Sequence, residues 1–260
     1  MTFLERIIAN KRAEVRDQKA RIRYRELEQS RHFSGKTLSL SGAIYSGAST
    51  GIIAEFKRMS PSKGLINSAS KVEEVTTGYA GAGATGLSVL TDTKFFGGSC
   101  CDLTLAKELN SIPVLRKDFI IDEFQVIESK AAGADAVLLI AAALERDQFR
   151  QLAILATALG MEVVLEVHSA SEIEMADENV KIIGVNNRDL NTFRVNIGIS
   201  AEMTEKIPGH FLKISESGIS LPATVKYLRQ SGYDGFLIGE LFMSSRDPVG
   251  AFSRFVRKLK

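Results

Sequence analysis

Residues 113–142 read PVLRKDFIIDEFQVIESKAAGADAVLLIAA, and this stretch decides the fold class. It contains a short apolar run at 113–118, a helical segment, a glycine at 133 and a second apolar run at 135–142. Gly133 stands where a helix ends, because glycine adopts left-handed dihedrals there without a steric penalty. A strand, a helix and a second strand in this order are typical of a parallel sheet.

The same alternation recurs along the chain from residue 51 onward. The predicted strands are GIIAEF (51–56), GLSVLT (86–91), PVLRKD (113–118), DAVLLIAA (135–142), MEVVLEV (161–167), KIIGVNN (181–187), HFLKISES (210–217) and DGFLIGE (234–240). Helical segments fill the gaps, among them ASEIEMAD at 170–177 and GAFSRFVRKLK at 250–260, and several end in glycine. Eight such units close a sheet on itself, so we predict an α/β fold, a (β/α)8 TIM barrel, which typically needs about 250 residues.

The composition is that of an ordinary globular protein. Hydrophobic residues make up 45% and charged residues 25%, values that exclude disordered and collagen-like classes. The 33 Lys and Arg against 31 Asp and Glu give no reason to expect nucleic acid, and no apolar run is long enough for a signal peptide or membrane span. Cys100 and Cys101 are adjacent and poorly placed for a disulfide. We therefore expect a cytoplasmic protein without a nucleic-acid or membrane partner.

An N-terminal extension precedes the barrel pattern. FLERIIANKRAEVRDQKARI at 3–22 predicts an amphipathic helix whose apolar positions are Leu4, Ile7, Ile8 and Val15. Residues 22–50 are interpreted as a polar connection from this helix into the barrel. We predict one domain over residues 1–260, with the helical extension at 1–48 and the barrel at 49–260.

Polar side chains stand at the carboxyl ends of the predicted strands, where barrels of this type carry their active sites. They are Glu55 and Lys57 on the first strand, Lys117 and Asp118 on the third, Glu166 on the fifth, Asn186, Asn187 and Arg188 on the sixth, and Ser215, Glu216 and Ser217 on the seventh. Lysines and carboxylates in one desolvated mouth perturb each other's proton affinities, as acid–base catalysis near neutral pH requires. Any one of them is equally well explained as a surface ion pair, whereas their joint occurrence favours a catalytic site.

Two backbone segments favour an anion site. SESG at 215–218 and IGE at 238–240 follow the last two strands, where many barrels bind phosphate through main-chain N–H groups. A glycine there is weak evidence alone, because turns need glycine anyway. The carboxylate of Glu240 would repel phosphate, so Lys57 and Arg188 are the expected source of positive charge.

The remaining polar segments predict less. KRMSPSKG at 57–64 is expected to be a long surface loop able to fold over a ligand. The histidines His32, His168 and His210 lack the partners and spacing of a metal site, so no metal is expected. His168 follows Glu166 closely enough to lie near the mouth, but the surface preference of histidine favours a solvated loop residue. The adjacent cysteines carry no signature of a nucleophile.

Seven stretches and the N-terminal helix are similar to one known family. The stretches read IIAEFKRMSPSKG, GLSVLTDTKFFGG, PVLRKDFIIDEFQVIESKAAGADAVLLI, VVLEVHS, IIGVNNRDL, ISESGI and FLIGELFM. They resemble the indole-3-glycerol phosphate synthases of tryptophan biosynthesis, and LERIIANKRAEV resembles that family's extra helix. The resemblance covers nearly the whole chain in the family's order, and AEFKRMSPSKG and LRKDFI are its most specific motifs.

The resemblance implies a carboxy-lyase that closes 1-(2-carboxyphenylamino)-1-deoxy-D-ribulose 5-phosphate to indole-3-glycerol phosphate, CO2 and water. It implies a phosphorylated small-molecule substrate and no metal or organic cofactor. The matching catalytic positions are Lys117, Glu166, Lys57, Glu55, Asn186 and Glu216. Lys117 matches the general acid of ring closure, and Lys57 with Glu55 matches the groups that remove the hydroxyl. Glu166 and Asn186 match groups that hold or relay protons, and which pair serves which proton stays open.

The resemblance also places the substrate. The positions that match the anthranilate pocket are Phe96, Phe119, Leu138 and Leu190, each of which is otherwise an ordinary core or loop hydrophobe. The positions that match the phosphate loops are Ser217, Gly218, Gly239 and Glu240, with Lys57 and Arg188 nearby, and Ser60 and Ser62 match a serine pair of the mobile loop. We expect a monomer, and contact with other enzymes of tryptophan biosynthesis stays open.

Two alternative functions make different demands on the sequence. A phosphoribosylanthranilate isomerase, another phosphate-binding barrel, would carry a cysteine near the first strand, and the sequence has none there. A catalytically silent binding or scaffold barrel would be expected to have lost at least one of Lys57, Lys117 and Glu166, all of which are present. An assay for indole formation separates the three functions.

Overall fold

Eight buried strands close into a parallel barrel in the computed structural model, which describes residues 1–46 and 50–259. The strands of this part of the chain are β1 (Ile52–Phe56), β2 (Met59–Ser60), β3 (Gly64–Leu65), β4 (Gly86–Leu90), β5 (Val114–Lys117), β6 (Ala136–Ile140), β7 (Glu162–Val167), β8 (Val180–Asn186), β9 (Leu212–Glu216) and β10 (Gly235–Ile238). Ile53 in β1 lies opposite Gly86 in β4 and Leu237 in β10, a pairing that closes the ring. The predicted (β/α)8 barrel is confirmed, and each predicted strand agrees with an observed one to within two residues.

Helices surround the barrel and cover its two ends. Over the described residues they are α1 (Phe3–Arg21), α2 (Tyr24–Glu28), α3 (Leu40–Tyr45), α4 (Val72–Gly81), α5 (Thr93–Phe96), α6 (Cys100–Leu109), α7 (Glu123–Ala132), α8 (Arg146–Ala158), α9 (Gly198–Met203), α10 (Pro222–Gln230), α11 (Glu240–Met243) and α12 (Pro248–Arg257). Two 3₁₀ turns span Ala141–Ala143 and Ala170–Met175. Gly133 ends α7 with φ 93°, and its N–H donates to the carbonyl of Lys130, as predicted from its place before β6.

Two apolar layers hold the barrel together. Successive side chains of β6 belong to different layers. Leu138 points into the barrel interior, whereas Val137 and Leu139 pack against the surrounding helices. The inner layer includes Ile53, Leu115, Leu138, Val164, Ile182 and Ile214. Each fully buried side chain of this size contributes about 1.5–3 kcal/mol. Burial on both faces explains why the strands read as continuous apolar runs.

Within the segment predicted as a polar connection, residues 22–50, helix α3 instead forms a plug at the amino-terminal end of the barrel. Leu40 and Ile44 of α3 are buried in the inner layer. Glu162, at the start of β7, accepts hydrogen bonds from both the side chain and the backbone N–H of Ser41, each at 2.7 Å. The prediction is wrong because a single apolar turn, set among serines, closes the open end of the barrel.

Helix α1 lies over the opposite end of the barrel. A capping box starts it, since Thr2 Oγ1 accepts from the Glu5 N–H and the Glu5 carboxylate accepts from the Thr2 N–H. Lys11, with only 1% of its side chain exposed, lies 2.8 Å from Asp92 Oδ2 and 2.9 Å from Asp118 Oδ1. These carboxylates follow β4 and β5, so the buried ion pairs fix the helix to the carboxyl-terminal rim.

Three local details differ from the prediction. The helix predicted at 170–177 is instead the second 3₁₀ turn, Ala170–Met175, because the segment is short and has no side-chain cap at its start. The loop at 57–64 contains the antiparallel ribbon of β2 and β3. The last helix begins at Pro248, two residues early. Lys260 and the predicted boundary between residues 48 and 49 lie outside the described residues. In the described parts of the chain, none of the helices is long and apolar enough to cross a bilayer.

Candidate active site at the carboxyl-terminal end of the barrel

A cavity of about 510 Å³ opens at the carboxyl ends of the barrel strands, beneath α1. Parallel strands present these ends at one rim, so side chains distant in sequence meet there. The predicted site residues that line the cavity are Glu55, Lys57, Ser60, Ser62, Phe96, Lys117, Phe119, Glu166, Asn186, Arg188, Leu190, Glu216, Ser217, Gly218, Gly239 and Glu240. The structure therefore brings together all the residues predicted to be catalytic or to bind substrate except Leu138. Of the other strand-end residues, Asn187 and Ser215 are fully buried, hydrogen-bonded to each other and outside the cavity lining.

Leu138 lies one layer below the cavity. Its side chain is fully buried in the barrel interior, among the inner apolar residues. Ile140, two residues further along β6 and on the same face of the strand, lines the cavity instead. Ile140 thus takes the position that the sequence assigned to Leu138.

Lys117 stands between two carboxyl groups at the cavity floor. Its Nζ donates to Glu166 Oε2 at 2.8 Å and lies 3.6 Å from Glu216 Oε2. Asn186 Nδ2 donates to Glu166 Oε1 at 3.0 Å. Only 1% of each of the two carboxyl side chains is exposed. Four different strands, β5, β7, β8 and β9, thus assemble one buried cluster of groups that can exchange protons.

The two carboxyl groups beside Lys117 differ in protonation. Burial acts to raise the pKa of Glu166, but the charges of Lys117 and His168, with hydrogen bonds, outweigh burial and lower that pKa to about 2. At Glu216 burial dominates, neighbouring carboxylates add to it and Lys117 opposes it, so the pKa rises to about 8. Adjacent carboxylates also outweigh burial at Lys117 and raise its pKa. At neutral pH the cluster holds an ammonium, a carboxylate and a carboxylic acid.

A second ammonium–carboxylate pair lies across the cavity on β1 and the residues after it. Lys57 Nζ donates to Glu55 Oε1 at 2.6 Å, so the two side chains share a face, as strand alternation predicts. A Cβ at Gly239 would collide with the Glu55 carboxylate. The glycine after β10 therefore leaves the space that this carboxylate occupies.

The turn after β9 has the backbone shape of an anion site. Ser217 and Gly218 adopt successive left-handed conformations, with φ 67° and 78°. A Cβ at Gly218 would also collide with the side chain of Val195. Successive N–H groups in a tight turn of this kind form a concavity that accepts anions. Arg188 lies beside both segments, because it contacts Glu240, next to Gly239, and pairs with Val195, which packs against Gly218.

Arg188 supplies the positive charge on that side. Its Nη2 donates to Glu240 Oε2 at 3.1 Å, and its Nη1 donates to Ser62 Oγ at 3.4 Å. Ser60 Oγ lies 3.3 Å from Ser62 Oγ. The repulsion expected between Glu240 and an anion is offset by this ion pair, which leaves further guanidinium N–H groups for a ligand.

An apolar wall faces these polar groups. The rings of Phe96 and Phe119 lie 6.1 Å apart, and Leu190 packs in the same inner cluster. A ligand with a flat apolar part and an anionic part matches the two sides of this cavity.

A family model described as indole-3-glycerol phosphate synthase matches residues 4–255. The chain belongs to the indole-3-glycerol phosphate synthase family. An indole-3-glycerol phosphate synthase of Bacteroides thetaiotaomicron is 46% identical over 258 residues, 99% of each chain. One from Polaromonas naphthalenivorans is 41% identical over 250 residues, 95% of each chain. The expected family is confirmed.

Solved structures at low identity share the fold alone. Tryptophan synthase subunit alpha from Legionella pneumophila superimposes with a TM-score of 0.60 at 12% identity, over 85% of this chain and 95% of that one. The 3-hexulose-6-phosphate synthase from Salmonella typhimurium superimposes with a TM-score of 0.61 at 16% identity, over 80% and 99% of the two chains. Barrels outside the indole-3-glycerol phosphate synthase family thus have the same arrangement of strands.

Several cavity residues were not among the predicted site residues of this family member. From α1 they are Phe3, Leu4 and Ile7, and from the loop after β8 they include Phe193. The rings of Phe3 and Phe193 lie 4.9 Å apart, so this contact joins the extension to the barrel across the cavity. The apolar stripe of α1 was the available signal, because a stripe of this kind must face a partner.

His168 also lies where the sequence did not favour it. Only 17% of its side chain is exposed, and Nε2 lies 3.6 Å from Glu166 Oε1. The expectation of a solvated loop histidine is wrong, because the residue directly follows β7 and its ring folds back over the strand end. A residue two positions after a site carboxylate shares its strand face, and this alternation was the signal for the contact.

Proposed function

We propose that this chain converts 1-(2-carboxyphenylamino)-1-deoxy-D-ribulose 5-phosphate to indole-3-glycerol phosphate, CO2 and water, as a carboxy-lyase of tryptophan biosynthesis. The observation that carries the proposal is the half-buried Lys117 ammonium, held 2.8 Å from Glu166 between an aromatic wall and the arginine side of one cavity. The substrate has the matching parts, because its ketone lies between an aromatic ring and a phosphate.

In ring closure, Lys117 acts as the general acid. The ring carbon that bears the carboxylate attacks the ketone carbon, and Lys117 Nζ–H protonates the ketone oxygen as negative charge develops there. The carboxylate then leaves as CO2 and the ring regains its aromaticity. A positioned acid of this kind contributes about 10²–10⁴-fold to the rate. Glu166 holds the ammonium in place and relays protons to it, and Asn186 holds Glu166 through its amide N–H.

In dehydration, Lys57 and Glu55 act on the alcohol that ring closure leaves. An acid protonates the hydroxyl so that it departs as water, and a base removes a proton from the neighbouring CH2 carbon to complete the indole. The 2.6 Å contact between the Lys57 ammonium and the Glu55 carboxylate supports their assignment to this step. Glu216, protonated at neutral pH, belongs to the same catalytic set.

The substrate spans the cavity from the apolar wall to the anion side. Its anthranilate ring packs against Phe96, Phe119 and Leu190, with Ile140 in the place first assigned to Leu138. The residues proposed to bind the phosphate end are Ser217, Gly218, Gly239 and Glu240, with Lys57, Arg188, Ser60 and Ser62 at its edge. The left-handed turn at 217–218 and the arginine beside it support this orientation.

We further propose a cytoplasmic monomer in which the extension, residues 1–48, and the barrel, residues 49–260, form one domain. The two free thiols, Cys100 and Cys101, suit a reducing compartment. The buried contacts of Lys11 with the barrel rim support a single domain. Light scattering of the purified protein tests the monomer. Contact with other tryptophan-pathway enzymes is tested by the same measurement on mixtures.

The first prediction tests the function itself. Lys117→Met should abolish the formation of indole fluorescence from the carboxyphenylamino sugar phosphate, because the variant cannot protonate the ketone oxygen. Substrate affinity, measured by titration, should change little, since the ammonium acts mainly on the developing charge.

The matched control is Lys226→Met, which changes an exposed lysine on α10 and should keep the parent rate. Circular dichroism shows whether both variants fold. Turnover of Lys117→Met within about tenfold of the parent would remove the residue from the proposed role, since general acids contribute more than that. Failure of the parent chain to form the indole product would contradict the function.

A further inference from the structure

His168 joins the buried catalytic cluster to the protein surface. Its Nε2 lies 3.6 Å from Glu166 Oε1, and its Nδ1 lies 3.8 Å from Glu172 Oε2. Glu166 is buried, whereas 22% of the Glu172 side chain is exposed. The imidazole therefore separates a carboxylate inside the site from a carboxylate that reaches solvent.

The chain holds this arrangement in place. The backbone N–H of His168 donates to Glu172 Oε2 at 2.6 Å, which fixes the outer carboxylate beside the ring. Both ring nitrogens are buried, and neither has a hydrogen-bond partner in the part of the chain that the structure describes. A buried imidazole whose nitrogens make no hydrogen bonds lowers the stability of the folded chain, so its place between two carboxylates points to a functional role.

The charged groups around the ring come from three segments. Glu166 faces it from β7, and Glu172 faces it from the following 3₁₀ turn. Asp189 lies in the loop after β8, where hydrogen bonds from the N–H and the hydroxyl of Thr192, then the N–H of Asn191 and the charge of His168, lower its pKa. The Lys117 ammonium lies on the far side of Glu166. Glu166 and Glu172 thus lie within 4 Å of the imidazole on its two sides, and Asp189 adds a third negative charge from the loop after β8.

The proposed reaction requires a proton from solvent in every turnover. The ketone oxygen receives one proton in ring closure and a second when it departs as water, and the CH2 carbon returns one to a base. The substrate enters as a carboxylate and leaves CO2, so one net proton is consumed. Lys117 lines the cavity with 16% of its side chain exposed, so a substrate in the proposed position covers it. While the substrate is bound, the proton of Lys117 is then replaced through the protein.

We propose that His168 is a positioning residue that orients Glu166 and passes protons from Glu172 at the surface to Glu166 in the site. In each cycle Glu172 passes a proton from solvent to Nδ1 of the neutral Nε2–H ring, the resulting imidazolium gives its Nε2 proton to Glu166 Oε1, and Glu166 passes that proton to Lys117. The ring is then protonated on Nδ1, and it returns to the Nε2–H form by proton exchange with water once the product has left the cavity. It does not line the cavity and acts only through Glu166. The separations of 3.6 and 3.8 Å shorten to hydrogen bonds with small side-chain movements, as is common when a ligand binds.

The test compares His168→Gln with Glu172→Gln and with the control His32→Gln. His32 is equally covered, with 18% of its side chain exposed, and it faces Glu108 far from the site. The amide of His168→Gln still donates one hydrogen bond but cannot pass a proton along. We expect kcat of His168→Gln to fall at least about tenfold, part of the 10²–10⁴-fold that acid–base groups contribute. KM should stay within a factor of about two, because the residue does not contact substrate.

A solvent isotope effect separates proton transfer from support of the structure. If reprotonation becomes rate-limiting, the isotope effect of D2O on kcat should increase in His168→Gln and in Glu172→Gln, and stay at the parent value in His32→Gln. A fall in kcat with an unchanged isotope effect would overturn the relay, as would an unchanged kcat. The inference rests on the proposed function, and the activity of the parent chain distinguishes failure of that function from failure of the relay. Absence of indole product with the parent overturns both, whereas full activity of His168→Gln in an active parent overturns the relay alone.

Discussion

The two carboxyl groups beside Lys117 show how position alone sets the chemistry of a side chain. Glu166 accepts hydrogen bonds from the ammonium and from Asn186 and stays ionised, whereas Glu216 Oε1 is buried without a hydrogen-bond partner among the described residues. A Cβ at Gly184 would collide with the Glu216 carboxyl, so the fold leaves a space that fits it closely. In this space the neutral form of Glu216 is favoured over the charged form.

The second prediction concerns the pH dependence of turnover. The pKa of Glu216 is raised from 4.5 to about 8, so the carboxyl ionises only above neutral pH. Its ionisation places a second negative charge 3.6 Å from the Lys117 ammonium, which then gives up its proton less readily. We expect kcat to fall as the pH rises through about 8. In Glu216→Gln this alkaline decrease should disappear, whatever rate the variant reaches.

Stability measurements check the same ionisation independently. Between pH 4.5 and 8 the folded chain binds the Glu216 proton more tightly than the unfolded chain, so this group lowers the free energy of unfolding as the pH rises. Urea denaturation should show a loss of up to about 1.4 kcal/mol per pH unit in the parent relative to Glu216→Gln. Identical pH profiles for the two proteins would mean that Glu216 is ionised at neutral pH.

Sequence reasoning located the residues of this cluster but not their states. Lys117, Glu166 and Glu216 were predicted from strand ends, because polar side chains at those positions have no place in an apolar core. The protonation of Glu216 depends on neighbours from other strands and could not be read from its own segment. The distance of a side chain from the cavity could not be predicted either. Strand alternation shows that Leu138 faces the barrel interior, but it does not show that Leu138 lies one layer below the cavity.

At the scale of elements, the turn after β9 joins a strand end to the proposed phosphate site. Two features require glycine at position 218. Its φ of 78° is positive, and a Cβ there would collide with the side chain of Val195. Any substitution therefore strains the turn, and a test of the phosphate must separate strain from charge.

The third prediction makes that separation. Gly218→Asp should raise KM by more than Gly218→Ala does, because both variants strain the turn but only the aspartate adds a negative charge where the phosphate binds. Charge repulsion of this kind is worth about 1–3 kcal/mol near a partly buried anion, or about tenfold to hundredfold in KM. Steady-state kinetics of both variants give the ratio. Equal KM values for the two would place the phosphate elsewhere.

Elements were predicted well where the pattern was long and poorly where it was short. The eight strands are bounded by glycines and strand-end polar residues, so their positions agree to within two residues. Helix α3 contributes only Leu40 and Ile44 to the core, a spacing of one turn that carries little signal. The 3₁₀ turn Ala170–Met175 was mistaken for a helix for the same reason. Tertiary contacts at the two barrel ends decide such segments.

At the scale of the whole molecule, the N-terminal segment closes the barrel at both ends. Helix α1 covers the cavity with Phe3, Leu4 and Ile7, while Leu40 is buried at the starts of the strands. The first contact shapes the substrate site, and the second completes the core. Function and stability therefore depend on different parts of the same extension.

The last prediction uses two deletions to separate these parts. Removing residues 1–22 should leave a cooperatively folding barrel with a KM raised at least about tenfold, because one wall of the cavity and its exclusion of water are lost. Its free energy of unfolding should fall by about 3–5 kcal/mol, since Asp92 and Asp118 lose their buried partner Lys11.

Removing residues 1–40 should lower the free energy of unfolding further without raising KM beyond that of the shorter deletion. The additional loss should be at least about 1.5–3 kcal/mol, because Leu40 is deleted from the inner layer and the amino-terminal end of the barrel is uncovered. Urea denaturation followed by circular dichroism, together with steady-state kinetics, measures both quantities. Equal stability of the two deletions would show that residues 23–40, Leu40 included, are a passive cover, and loss of cooperative unfolding in the shorter one would show that α1 belongs to the core of the barrel. A KM that rises only with the longer deletion would place the cavity wall in residues 23–40 and contradict the role of α1.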